Sequence, residues 1–301
     1  MCIRDRFKIN IMNEIIQFCQ SIFNPLVIVF TVANLLSMGL QVNLGKMFKV
    51  VGNLKFLGLT FGFGWVLGPA VAYLITMLIP LEQPYVVVLF IGSLAPCAPF
   101  LPPLLPKAKG DIVFAGAFIP VAAIGTSLLM PLFAPILIKG IDLSVMSLLK
   151  PLFVTVLVPL LIGALIKTFA SKVADKIFNP VKKLAGLTTL LTVVFCFLLY
   201  SKQMWATAGS MAMLSLTIFM IVMGLISFYF GFGLNRAERV VMSLGIGTRN
   251  IAAVLIGVLA IAEVTPNMVA MVIIWTLWSF ILSIIIAPLM GKKATKTAAA
   301  A

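Results

Sequence analysis

Nine runs of mostly apolar residues, each close to the ~20 that cross the hydrocarbon core of a bilayer, leave this chain of 301 residues little choice of fold. They lie at about 25–43, 56–79, 84–106, 111–138, 151–169, 184–200, 212–234, 238–262 and 266–290. Lipid offers no partner to backbone N–H and C=O groups, so each run has to satisfy its own as a helix. With 62% hydrophobic and only 10% charged residues, against about a quarter charged in a soluble domain, the expected fold class is an all-α polytopic membrane protein.

The net charge of +14 comes from basic residues placed mainly in the short connections between apolar runs. No basic helix is available to enter a groove, so nucleic acid is not an expected partner; the lipid bilayer is. Counting Lys and Arg on alternate sides gives fifteen on one side, from Lys46 to Lys296, and six on the other, from Arg4 to Lys202. The positive-inside rule makes the richer side cytoplasmic. The expectation is a multi-pass protein of a bacterial inner membrane with residues 291–301 as a cytoplasmic tail. There is no His, and Cys2, Cys19, Cys97 and Cys196 show neither metal spacing nor a disulfide framework. No metal or other cofactor is expected.

Two of the nine runs cannot be regular helices. Ala95 to Pro106 holds five prolines, each removing a backbone donor and crowding a preceding carbonyl. Gly245-Ile246-Gly247-Thr248-Arg249-Asn250 is poor helix material and places a charge near the middle of its span. A charge there costs ~2.5–3.5 kcal/mol on insertion scales and by default marks a binding site or a pathway. Snorkelling is out of reach, since about a dozen residues separate Arg249 from either end, some 16–18 Å at helical rise. Two readings remain, binding of an anion and bracing of carbonyls freed at the breaks. A guanidinium suits a carboxylate, sulfonate or phosphate. The candidate substrate-binding residues are Arg249, Asn250, Thr248, the backbone of Cys97, Ala98, Pro99, Phe100 and Leu101, and Thr126 on the fourth run. Asn34 and Ser37 on the first are weaker candidates, because Ser, Thr and Asn are ordinary glue between membrane helices.

Paired interrupted helices in corresponding halves point to a secondary transporter. The third and eighth runs are five spans apart, and an odd offset inverts one half relative to the other. Residues 25–139 are expected as a first repeat and 150–290 as its inverted counterpart. The fifth run then needs a partner ahead of the first. Residues 1–24 occupy that place and read as an amphipathic interfacial segment, with Ile11, Ile15, Phe18 and Ile22 on one face, which suggests a truncated or atypical start.

With these residues in view the chain resembles the bile acid:sodium symporter family. The marks are Met38-Gly39-Leu40, Ala108-Lys109-Gly110-Asp111 after the proline-rich break, and Gly247-x-x-Asn250 in the second break. The resemblance implies ten helices in two inverted five-helix repeats, with a panel domain and a core domain that holds the crossovers; the first helix would be missing here. It also implies a Glu and a Gln as sodium ligands where this chain has Gly245 and Arg249, and a Ser-Asn pair where it has Leu101-Pro102. On this reading the sodium charge is replaced by Arg249, which pairs directly with an anionic substrate. The expected function is alternating-access transport of a small organic anion, not an enzyme activity, with sodium coupling through the usual positions absent. The alternatives are an arsenite exporter of the related kind, kept open by Cys97, and a sodium symporter with altered ligands.

Overall fold

The computed structural model describes residues 3–138, 140–141 and 143–299. Among them every regular element is helical. In chain order these are α1 (Ile3–Gly39), α2 (Leu44–Val51), α3 (Leu54–Leu78), α4 (Gln83–Ser93), α5 (Leu105–Ala108) and α6 (Ile112–Leu137), followed by α7 (Val145–Phe169), α8 (Ser171–Ala208), α9 (Met211–Tyr229), α10 (Arg236–Gly247), α11 (Ile251–Leu259) and α12 (Pro266–Ala299). Seven of these described helices contain a stretch long and apolar enough to cross a bilayer. The two other expected crossings are the interrupted ones. α4 stops at Ser93 and regular structure resumes only at Pro102–Leu104, while α10 and α11 are separated by Thr248, Arg249 and Asn250. The chain is a multi-pass membrane protein.

Helix starts follow local chemistry. The Asp111 carboxylate accepts from the N–H groups of Val113 and Phe114 at 2.7 and 2.9 Å and opens α6. Asn235 and Glu238 form a reciprocal capping box at the start of α10. In α3 and α7 a wide π-turn, at Gly62–Leu67 and Phe153–Leu157, ends two residues before Pro69 and Pro159. A proline ring crowds the carbonyl four residues back and offers it no N–H, so the preceding turn widens.

Three boundaries differ from expectation. α1 runs unbroken through the segment read as a separate amphipathic helix, with Pro25 inside it. Of that segment's apolar face the side chains of Ile11 and Ile15 lie outside the described residues, Phe18 is exposed and Ile22 is half-buried. α8 begins at Ser171, thirteen residues ahead of its apolar run, so Lys172, Lys176, Lys182 and Lys183, assigned to a loop, are helical. Pro180 costs that helix one donor without ending it, and Lys167 pairs with Asp175 at 2.6 Å near its start. α12 continues past Met290 through most of the expected tail.

α1, α7 and α8 pack on one another, and α1 crosses α7 with backbones in direct contact. A side chain at Gly39 would strike the Leu160 carbonyl, and one at Gly163 the backbone of Leu36 and Leu40. This is the close approach that small residues permit in membranes. A second group centres on the two interruptions: α3 and α4 pack together, α9 lies against α10, and α12 touches both groups.

Candidate functional site

The broken segments meet and pair. Pro96 and Arg249 form an antiparallel β-bridge. The Cys97 N–H donates to the carbonyls of Gly245 (2.9 Å) and Thr248 (3.0 Å), and the Asn250 N–H donates to Ala95 O (2.9 Å). A buried backbone in a membrane has to account for every polar group, and side chains supply the remainder. Trp65 Nε1 donates to Leu94 O at 3.0 Å. The Thr248 hydroxyl donates to Leu244 O at 2.7 Å and accepts from the Ala98 N–H at 3.1 Å. Arg249 Nη2 donates to Ile246 O at 2.7 Å. Cys97 takes a φ of +76° to make the crossing, a left-handed conformation that costs a non-glycine residue ~1–3 kcal/mol and persists only where its surroundings hold it.

This arrangement redistributes the residues expected to bind substrate. Asn250 caps α11, its side chain accepting from the Ala253 N–H at 3.3 Å, and Thr248 is committed to two backbone partners. Arg249 is fully buried (0% exposed). Its guanidinium lies 4.6 Å from the centre of the Phe219 ring of α9, and Phe219 packs edge-on against Trp275 of α12. Arg249 Nε and Nη1, Trp275 Nε1 and Thr126 Oγ1 are buried without hydrogen-bond partners. Cys97, Ala98 and Leu101 are buried in the crossing. The Arg249 guanidinium therefore sits against Phe219 of α9 and donates to Ile246 O at the break.

Of the expected residues, Pro99 and Phe100 line a cavity of about 320 Å³ on the other side of the crossing. Its walls are Asn34 and Ser37 of α1, Gln41 just beyond it, Lys182, Gly186 and Thr189 of α8, Ile251 and Ala252 at the start of α11, and Thr276 of α12. Asn34 Nδ2 reaches Thr189 Oγ1 at 3.2 Å across the α1–α8 contact. Lys182 Nζ sits 5.6 Å from the Phe178 ring centre and brings a cation to the cavity. The positive end of α11's dipole faces the same space. Lys182 lies just ahead of the apolar run that opens at 184, so hydropathy does not single it out; the signal is Lys182, Gly186 and Thr189 at helical spacing on one face.

One consequence can be checked at once. Thr248→Val keeps the shape but strips Leu244 O of its donor and the Ala98 N–H of its acceptor, each worth about 1–3 kcal/mol when buried. A marked loss of thermal stability is expected, absent in Thr248→Ser.

The family model described as Sodium Bile acid symporter family matches residues 27–207, more than half of the chain. The chain belongs to that family. No curated protein matches the sequence. The family's members are transporters, not enzymes, and the membership points to sodium-dependent carriers of bile-acid-like or other organic anions. The usual sodium positions nonetheless fit a cation poorly here. At Gly245 even a Cβ would run into the Phe118 ring edge, so an acidic side chain has no room. Arg249 already carries a positive charge into the same interior, and Leu101-Pro102 offers no side-chain oxygen. At the positions the resemblance assigns to sodium, these side chains supply no oxygen to the ion.

Proposed function

We propose that this protein carries a small organic anion across the inner membrane by alternating access, with the charge that sodium supplies elsewhere in the family built into the protein as Arg249. The single observation behind this reading is the cavity between α1, α8 and the crossing, where Lys182 and the N-terminal end of α11 converge on a space bounded by Pro99 and Phe100. Both features favour a negative group, and half-helix ends that point at anionic substrates are a recurrent transporter device. Apolar walls from Phe30, Met38 and Ile251 suit a hydrocarbon body.

In this reading the substrate meets Lys182 and the α11 terminus, while Arg249, Thr248 and Asn250 hold the crossing behind them. The α1–α7–α8 group moves against the group that carries the crossing. The halves 25–139 and 150–290 are inverted repeats, and the lysine-rich ends, with the C-terminus, face the cytoplasm.

Proteoliposomes loaded with a mixture of unlabelled carboxylates and sulfonates, offered labelled members of the same set, test it. Exchange that runs equally in sodium and in potassium is expected. Uptake that rises with sodium and saturates would return the chain to symport through altered ligands. Absence of any anion exchange, with arsenite efflux abolished by Cys97→Ser, would replace it with the exporter reading.

A further inference from the structure

A second cavity, of about 410 Å³, lies in the angle between α9, α10 and α12 and away from the α1–α8 side. Most of its wall is apolar: Met220, Ile221, Leu225 and Phe228 from α9, with Leu282 and Ile286 from α12. Ile221, Leu225 and Tyr229 are also among the exposed large side chains, so on a membrane protein the groove opens toward acyl chains. One end is different. Arg236 lines it, with Nη2 donating to Met290 O at 3.0 Å and the guanidinium 5.7 Å from the Phe228 ring centre. Arg236 Nε is buried and has no partner. The other end is closed by Gly247 and Thr248 at the crossing.

We infer that this groove binds an anionic phospholipid of the surrounding bilayer, its phosphate at Arg236 and one acyl chain laid along α10 to the crossing. Length and charge favour this occupant. From Arg236 to Gly247, α10 covers twelve residues, about 16 Å at helical rise, which is near the depth of one leaflet in a ~30 Å hydrocarbon core. A water-soluble anion needs no apolar trough of that length. At the charged end Arg239 lies one turn on, and the Lys55 side chain lies against Gly233. Glu238, the nearby carboxylate, is engaged in capping Asn235. Tyr229 stands at the same end, where aromatic and basic residues gather at a membrane interface. Basic pockets between membrane helices are a recognised setting for phospholipid headgroups.

The inference stands apart from the identity of the transported substrate. Purified full-length protein in a neutral detergent is titrated with dioleoyl phosphatidylglycerol, dioleoyl phosphatidylcholine and soluble glycerol phosphate, and binding is read by native mass spectrometry and thermal shift. Phosphatidylglycerol is expected to bind about tenfold more tightly than phosphatidylcholine, whose choline cation offsets the phosphate charge beside Arg236, Arg239 and Lys55, and glycerol phosphate not at all. Arg236→Gln removes the preference between the lipids. Gly224→Leu, which places a side chain into the trough from α9, weakens both lipids and serves should Arg236→Gln fold poorly. Equal binding of the two lipids, a preference that survives Arg236→Gln, unaltered binding of both lipids to Gly224→Leu, or glycerol phosphate matching phosphatidylglycerol would each overturn the assignment.

Discussion

Arg249→Met should abolish or severely weaken anion exchange while leaving the protein about as stable as before. The two halves of this expectation have separate origins. A lone charge inside a membrane protein costs ~2.5–3.5 kcal/mol on insertion scales. Its compensation is one charge-assisted hydrogen bond, ~1.5–3 kcal/mol, to Ile246 O, and a desolvated cation–π contact worth about 2 kcal/mol with Phe219. These nearly cancel, and methionine fills most of the vacated volume, so the melting temperature should move by only a few degrees. The electrostatic effect on substrate has no such compensation. A unit charge ~8–10 Å away at an effective dielectric constant of ~20 contributes roughly 1.7–2 kcal/mol, which is about a fifteen- to thirtyfold change in affinity. A variant that melts far below the wild type, with exchange lost only in proportion to the folded fraction, would reduce Arg249 to a structural brace. A converse experiment is sharper still. Gly245→Glu combined with Phe118→Ala and Arg249→Gln makes room for an acidic ligand and removes the resident charge, and should confer sodium dependence.

Lys182→Gln is expected to raise the KM for the anion about tenfold and to leave kcat nearly unchanged. The lysine is exposed, so the lower end of the range for a charge-assisted hydrogen bond, ~1.5 kcal/mol, is the fitting figure. A contact made equally in the ground and transition states of carriage affects binding alone. Lys182→Arg should keep most of the affinity, and Lys183→Gln, one residue away and absent from the cavity wall, should have little effect. If Lys183→Gln were as damaging as Lys182→Gln, the effect would lie in surface charge and not in the cavity.

The broad architecture was legible in the sequence because membrane physics leaves few options. Apolar runs, proline density between Pro96 and Pro106 and the glycines around Arg249 located the crossings and both breaks. What escaped was everything decided by partners distant in sequence. Thr248 and Asn250 read as donors for a substrate, yet the Thr248 hydroxyl takes the Ala98 N–H that only the crossing brings near, and the Asn250 side chain caps its own helix at the Ala253 N–H. The sequence places a charge at the break but not its direction, since a side chain on an interrupted helix can leave in several, and Phe219 takes the guanidinium here. Lys182 was missed for a different reason. Its charge ended the apolar run, and the helix went on regardless for three further turns toward Ser171. The groove beside Arg236 had no sequence mark at all, since it is made by the angle between three helices.

The joint between the two broken segments is built from main-chain atoms. Cys97 N–H, Asn250 N–H and the carbonyls of Ala95 and Thr248 would all survive alanine replacement of their own residues, Gly245 being the exception because a Cβ there meets the Phe118 ring. A conventional alanine scan would therefore pass over this pivot and report only the residues that decorate it. The joint is open to chemistry that edits the backbone itself. An ester in place of the peptide N–H at Cys97 or Asn250, or a proline at either position, would cut the two strands apart and leave the rest of the molecule its native side chains. The same arrangement lets side chains at the crossing be exchanged, and with them the nature of the resident charge, without dismantling the pivot.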